Sequence, residues 1–399
     1  MKNKKAIING NLFTITNGVI ENGTVLIKNG KIAAFGTNVE IPKDAEIIDV
    51  KGMIVTPGII DAHAHVEIWE EGLGMEGMDC NEMTNPVTAH VRAVDAINPE
   101  GIGMRDALTG GITTIWDAPG SANVIGGHGV TLKTSGNIID EMIMLEPSGL
   151  KAATGENPKG CYGQEKESMP MTRMGVAAVM REALIKAQEY LKKIEKAGDD
   201  EDKMPDRDLG LETIGKVLNR EIPLRVHCHR HDDIVTVVRI SKEFNIKVSI
   251  EHATEAHKIA DFLAENQIPI VVGPSITTRS KVELTDRSLK TAGICASKGV
   301  PVSLMTDHPI IPVHHLHLCA AFCVKHGMTE EQALRAITIN PAQLCGVGDR
   351  VGSIDIGKDA DLAVWTHHPF DIMSKVKYTF IDGEIVYSQD SGCCKGGIN

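Results

Sequence analysis

Two histidines one residue apart, His63 and His65, close the run VTPGIIDAHAH. If that run is a strand, its period of two sends both imidazoles from one face, near enough to share a ligand. The same residue types recur in later apolar runs: His227 and His229 in RVHCHR, His252 in SIEHAT, Asp307 in SLMTDHP, with Lys151 in GLKAATG. Neutral imidazole nitrogen and carboxylate oxygen suit zinc, manganese or iron, and a set without thiolate leaves positions for water and substrate. A divalent cation brings the pKa of bound water to about 7 and polarises a carbonyl or amidine carbon, so hydrolysis of a C–N bond is the chemistry expected. A single histidine at a strand end is ordinarily a hydrogen-bonded structural residue. The recurrence at the ends of the first, fifth, sixth and eighth runs is what favours a metal site.

Those side chains meet only if the runs are neighbouring strands. From residue 54 onward there are eight short apolar segments: IVTPGIIDAHAH, GITTIWDAPG, IIDEMIML, GLKAATG, IPLRVHCH, KVSIEHAT, PIVVGPS and PVSLMTD. Most precede a helix-like pattern. Such alternation predicts βαβ units, a parallel sheet and, with eight strands, a closed barrel whose active site lies at the C-terminal strand ends. GVAAVMREALIKAQEYLKKIEK, residues 175–196, has the helical period and is placed between the fourth and fifth strands.

Both chain ends read as strands instead, with hairpin signals at Asn29-Gly30 and Asp382-Gly383. The expected fold is therefore α/β: a distorted (β/α)8 barrel over residues 56–345 and a small β-sandwich built from 1–55 and 346–392, followed by a flexible tail, 393–399. At 399 residues, with 42% hydrophobic and 24% charged residues, the chain suits one large core and an accessory domain.

A net charge of -12 argues against nucleic acid or an anionic membrane as partner, leaving small molecules. No apolar run approaches membrane-spanning length and the N-terminus lacks a continuous apolar region, so a cytoplasmic location is expected. The nine cysteines form no regular framework and are read as thiols, Cys393 and Cys394 being the readiest to oxidise.

Taken together, VTPGIIDAHAH, RVHCHR, SIEHAT, SLMTDHP and the closing VGSIDIGKDADLAVW resemble the amidohydrolase superfamily, in the branch related to imidazolonepropionase, over about residues 5–388. The resemblance implies the same barrel and sandwich, one or two divalent metals per chain with zinc ahead of manganese or iron, and a homo-oligomer. It implies that His63, His65 and Asp307 hold one metal, that His227 and His252 hold a second or contact substrate, and that Asp307 is the general base and acid, with His252 beside it as a catalytic candidate. Lys151 matches the place of a carboxylated lysine that bridges two metals; Glu156 is the alternative carboxylate there, and His229 the alternative to His227. Arg230 stands near a place where imidazolonepropionases carry acidic residues, which points away from imidazolonepropionate as substrate.

Loops after the first two strands and scattered arginines supply candidate substrate contacts: Glu67, Asn81, Glu82, Ser121, Asn123, His128, Arg173, Arg230 and Arg279. DAPGSANVIGGHG is read as a glycine-rich loop facing the site. His314, His315 and His317 are read as a helix start at the pocket rim, His367 and His368 as sandwich surface. The function expected is hydrolysis of a small amide, a cyclic one such as an imidazolone or hydantoin-like ring being preferred. The alternatives are a dipeptidase, a mononuclear ring deaminase, or a non-catalytic scaffold that keeps the fold.

Overall fold

The computed structural model describes residues 4–391, so the tail and its two cysteines lie outside the described residues. Two eight-stranded sheets organise the chain. One comes from both termini: β1 (Lys4–Phe13), β2 (Val19–Lys28), β3 (Lys31–Gly36), β4 (Glu46–Asp49) and β5 (Ile54–Pro57), joined by the last three strands of the chain, Leu362–Trp365, Val376–Ile381 and Glu384–Ser388. Antiparallel pairing of Val364 with Val55 stitches the two ends of the chain together. Asn29 and Gly30, at φ 54° and 76°, and Asp382 and Gly383, at 49° and 73°, adopt the left-handed backbone that tight hairpins require. Ile7, Leu12, Val25, Ile27, Leu362 and Phe380 fill this domain's own core.

The second sheet is the barrel: β6 (Ile59–Ala64), β7 (Ile112–Asp117), β8 (Ile125–Lys133), β9 (Ile143–Ala153), β10 (Leu224–Cys228), β11 (Val248–His252), β12 (Ile270–Val272) and β13 (Val302–Leu304), hydrogen-bonded in that order. Asp307 N–H donates to the His63 carbonyl (3.2 Å) and His65 N–H to that of His308 (3.0 Å), joining the first strand to the segment after the last. Asp61, wholly buried at this seam, accepts from Thr306 Oγ1 (2.5 Å) and His63 N–H (3.1 Å).

The distortion lies at the third strand. β8 runs antiparallel to both β7 and β9, while the other seven strands share one direction. This corrects the sequence reading in two places: the second half of the glycine-rich stretch taken as a loop, from Ile125 on, is β8, and the expected third strand is a helical turn, Ile139–Met142, that leads into β9, the long strand that also holds the expected fourth. The glycines misled because they are packing devices. A Cβ on Gly129 would lie 2.3 Å from Trp116 Cζ2, so this strand must be bare where it crosses the buried indole.

The helix Arg173–Ala197 fills the place expected between β9 and β10, its first turn capped by Thr172 Oγ1 accepting from Gly175 N–H at 3.0 Å. The seven described cysteines are free and buried. No helix among the described residues is long and apolar enough to cross a membrane.

A buried ion network ties the barrel to the sandwich. Lys133, the last residue of β8, donates to Asp359 (3.0 Å), Asp361 (3.3 Å) and Asp382 (2.5 Å), while Lys31 and Arg350 also reach Asp359.

Candidate active site

Asp61 and His63 on β6 and His65 directly after it stand at alternate positions, and all three are buried. The rings of His63 and His65 lie 5.3 Å apart, and Asp307 Oδ1 comes within 3.7 Å of His63 Nε2 and 3.5 Å of His65 Nε2. Asp307 follows β13 on a left-handed backbone, φ 57°. Across from them, β10 and the residue after it bring His227 and His229 together with His252 from β11, at ring separations of 4.6, 4.1 and 4.8 Å. Each triad has its ligand atoms within 4.8 Å of one another. His227 and His229, alternatives in the sequence, thus stand side by side.

His252 departs from strand alternation. Ser249 and Glu251 already face the barrel interior, where Ser249 Oγ donates to Glu251 Oε1 at 2.5 Å, so His252 would point outward. A left-handed backbone, φ 69°, turns it inward against His227. Strained residues at the ends of β11 and β13 therefore complete the two triads, a cost sustained by the surrounding fold.

The ring tautomers are fixed from behind. His63 Nδ1 meets Glu251 Oε2 at 2.9 Å, His65 Nδ1 the Ala118 carbonyl at 2.7 Å, and His252 Nδ1 the Gly273 carbonyl at 3.1 Å. Each of these oxygens only accepts, so Nδ1 carries the hydrogen and Nε2 presents its lone pair to the site. Burial, with neighbouring cationic groups, holds His63, His227 and His252 well below the ordinary imidazole pKa, and His229 at about 3. Nε2 of His229 and of His252 are buried without a hydrogen-bond partner. A buried polar atom without a partner is costly, and neutral imidazoles with bare inward nitrogens fit a divalent ion.

Near the triads stands Lys151, wholly buried on β9. Its Nζ lies 3.5 Å from His63 Nε2 and donates to the Pro119 carbonyl and Ser121 Oγ, both at 3.1 Å; Ser121 Oγ in turn meets His227 Nδ1 at 2.8 Å. Burial brings the Lys151 ammonium down to about 8, so free amine is present at neutral pH. Glu156 lies on the pocket wall, its Oε2 3.4 Å from Glu283 N–H, and is in neither triad.

The model of the Amidohydrolase family matches residues 54–386. This chain belongs to that family. It is thus a metal-dependent hydrolase acting on C–N bonds of small molecules, in the imidazolonepropionase-related branch. An amidohydrolase structure from Thermotoga maritima is 44% identical, with a TM-score of 0.93, over 96% of this chain and all of that one. An imidazolonepropionase from Thermoplasma volcanium is 26% identical over 93% of this chain and 92% of its own length. The amidohydrolase tasK of Hapsidospora irregularis is 28% identical over 90% of this chain, which spans 39% of that longer protein.

The amidohydrolase pocket, about 850 Å³, opens over both triads. Of the expected substrate contacts, Asn81 and Ser121 line it, though Asn81 Oδ1 is engaged by Ala122 N–H at 2.9 Å. Most of the others face elsewhere. Glu67 is buried against the start of the helix Ile102–Thr109, accepting from Gly103 N–H at 2.5 Å, an anion at a helix N-terminus. Asn123 donates to the Glu82 and Asn85 carbonyls, and the Glu82 side chain accepts from Thr84. His128, on β8, meets Thr213 Oγ1 at 2.6 Å. Arg173 pairs with Asp233 and Glu283, Arg230 with the adjacent Asp232, and Arg279 with the Thr285 and Arg287 carbonyls.

His314 and His315 do begin a helix, but their neighbourhood is Asp106 and that of His317 is Trp365, away from the pocket lining. His367 is exposed, and His368 packs on Phe13 and Phe370 of the sandwich side. The cations that do line the pocket are Lys281 and Arg287, with Asn157 beside them. Arg279 was the nearest sequence signal, two residues from Lys281.

Sequence reading also missed Arg225 and Glu251. Both are fully buried in the barrel, paired through two contacts of 3.0 and 3.1 Å, with the guanidinium carbon 3.5 Å from the Trp116 ring centroid.

Proposed function

We propose that the protein hydrolyses the C–N bond of a small amide, a cyclic amide in preference to a linear one, with a divalent metal pair, zinc ahead of manganese or iron. The observation that carries this reading is the pair of triads near Lys151, the second of them with two buried imidazole nitrogens, His229 Nε2 and His252 Nε2, left without a hydrogen-bond partner. His63, His65 and Asp307 would hold one ion, and His227, His229 and His252 the other. Lys151, as free amine, would add to CO2 with loss of a proton, and the resulting carbamate carries two oxygens where the ammonium had none to offer.

A divalent ion held there supplies Lewis acidity, lowering the pKa of water and polarising a carbonyl. The chain's own residues do the rest. Asp307, 14% exposed in its side chain and open to the pocket, takes the proton from the attacking water and returns it to the leaving nitrogen. Ser121, held by Lys151 and against His227, fixes the loop after β7 over the reacting bond. A ring deaminase served by a single ion would leave the second triad without a role, and a scaffold would need neither.

The reading is tested by incubating the metal-loaded protein with a panel of hydantoins, imidazolones, lactams and dipeptides and following loss of substrate. Turnover of cyclic amides that is abolished by Asp307→Ala supports it. Ammonia release from aminated rings alone, or turnover of dipeptides alone, would replace it with the deaminase or dipeptidase reading.

A further inference from the structure

Against fifty-three acidic side chains the chain carries forty-one lysines and arginines. Two of them share one wall of the pocket. Lys281 and Arg287 both belong to the segment after β12, and among the described residues neither makes an ion pair. The Lys281 ammonium donates to Asn157 Oδ1 at 2.7 Å, and Asn157 Nδ2 lies 3.4 Å from His227 Nε2. One side chain therefore spans the interval between this cation and the histidine triad. Arg287 is braced by Thr277 and by the Thr278 carbonyl, and burial next to Arg279 lowers its pKa. Hydroxyls of Ser275, Thr277, Thr278 and Ser280 line the same wall.

The acidic groups on the pocket lie elsewhere in the chain. Asp307 belongs to the first triad, Glu156 is engaged near the Glu283 backbone, and Glu165 is exposed in the segment after the short helix Glu156–Lys159. None of them is paired with Lys281 or Arg287. Two half-buried cations and a set of hydroxyls, one amide side chain away from the reacting centre, form a receptor for a negative charge on the substrate.

We propose that the substrate is an anionic amide: it carries a carboxylate, remote from the scissile C–N bond, which the Lys281 ammonium binds with support from Arg287. This rests on the amide-hydrolase reading above and narrows it. A carboxylate matches the site better than a phosphate dianion. Lys281 has two of its three donors left after Asn157, and Arg287 keeps its fork engaged with the segment around Thr277, so the site offers little more than one charge's worth of contacts. Lys281 is a specificity-determining residue here, because its interaction persists unchanged from bound substrate to transition state and so appears in KM more than in kcat.

The test uses two matched pairs: hydantoin-5-acetate with hydantoin-5-acetamide, and hydantoin-5-propionate with hydantoin-5-propionamide. Each is offered to the metal-loaded protein, with binding followed by calorimetry and hydrolysis by loss of substrate. The wild type should prefer the carboxylate of at least one pair by about tenfold or more. Lys281→Met should bring that ratio near one, Arg287→Met should reduce it, and Lys281→Arg, which keeps the charge, should retain most of it. Metal content and melting temperature are measured for each variant to show that the fold is intact.

Equal binding within both pairs, including no binding by any of the four, overturns the proposal. A preference that survives Lys281→Met in a folded, metal-loaded protein overturns it as well. Carboxylates that bind through Lys281 and are not hydrolysed support the anion site and count instead against the amide-hydrolase reading.

Discussion

Glu251 Oε2 meets His63 Nδ1 at 2.9 Å, both side chains being fully buried, and the same carboxylate receives Arg225 through both of its oxygens. The contact decides which nitrogen of His63 faces the pocket. Arg225 is held in its turn by the Ala62 carbonyl at 2.7 Å and by the face of Trp116, so the chain of contacts runs from the barrel interior to the first triad.

Replacing Glu251 with glutamine leaves one acceptor oxygen where Arg225 and His63 need two. Metal affinity should fall by about 10- to 100-fold, read by competition with a chelator of known affinity. Unchanged affinity in a folded variant would show that the tautomer of His63 is set by something other than Glu251.

Asp307 carries a second consequence. Because its carboxylate both closes the first triad and handles the proton, Asp307→Asn should cost about 10²- to 10⁴-fold in kcat while most of the metal is retained, His63 and His65 being untouched. Metal content and kcat falling together would make Asp307 a ligand only.

The interdomain network makes a prediction about acid. Burial tends to raise the Asp359 carboxyl, and Lys31, Lys133 and Arg350 overcome it, holding the group at about 2. A carboxylate depressed from its ordinary 3.8 contributes stability that is complete above about pH 4 and is lost as pH falls through 2. Asp359→Asn should therefore lower stability at pH 7, by about 3 kcal/mol for a broken buried pair, and the gap to the wild type should close on acidification. A gap independent of pH in thermal melts would contradict this. The comparison with the variant matters because Asp361, pushed by burial to about 6, works in the opposite direction, favouring the fold as pH falls from 6 toward 4.

A packing prediction concerns β8. Gly129→Ala would force a Cβ to within 2.3 Å of Trp116 Cζ2, with no flexible side chain to yield. It should destabilise the protein by about 2 kcal/mol in urea melts and disturb the Arg225 contact on the other partner of that indole. A neutral effect would mean that β8 can move away from Trp116 freely.

The first triad was legible in the sequence because each member ends an apolar run and the period of two puts His63 with His65; of the second, His227 and His252 were expected, with His229 only as the alternative to His227, whereas the structure groups all three. His252 was found by residue type, but its inward direction comes from a left-handed backbone that no pattern signals. The strand β8 was hidden because Gly126, Gly127 and Gly129 read as a turn, whereas two of them give way to neighbours: a Cβ on Gly127 would strike the Val91 carbonyl, as one on Gly129 would strike Trp116. The substrate wall was hidden for another reason. Arginines at Arg173, Arg230 and Arg279 are indistinguishable in sequence from Arg287, and only the fold shows which are paired or engaged elsewhere and which line the pocket.

The central claim is that two ions sit on either side of a modified Lys151, and metal per chain tests it most directly. Protein purified without chelator and analysed by plasma mass spectrometry should carry about two divalent ions, and Lys151→Ala should carry fewer, its folding checked by melting temperature. One ion per chain, indifferent to Lys151, or none after reconstitution with zinc or manganese, would contradict the account.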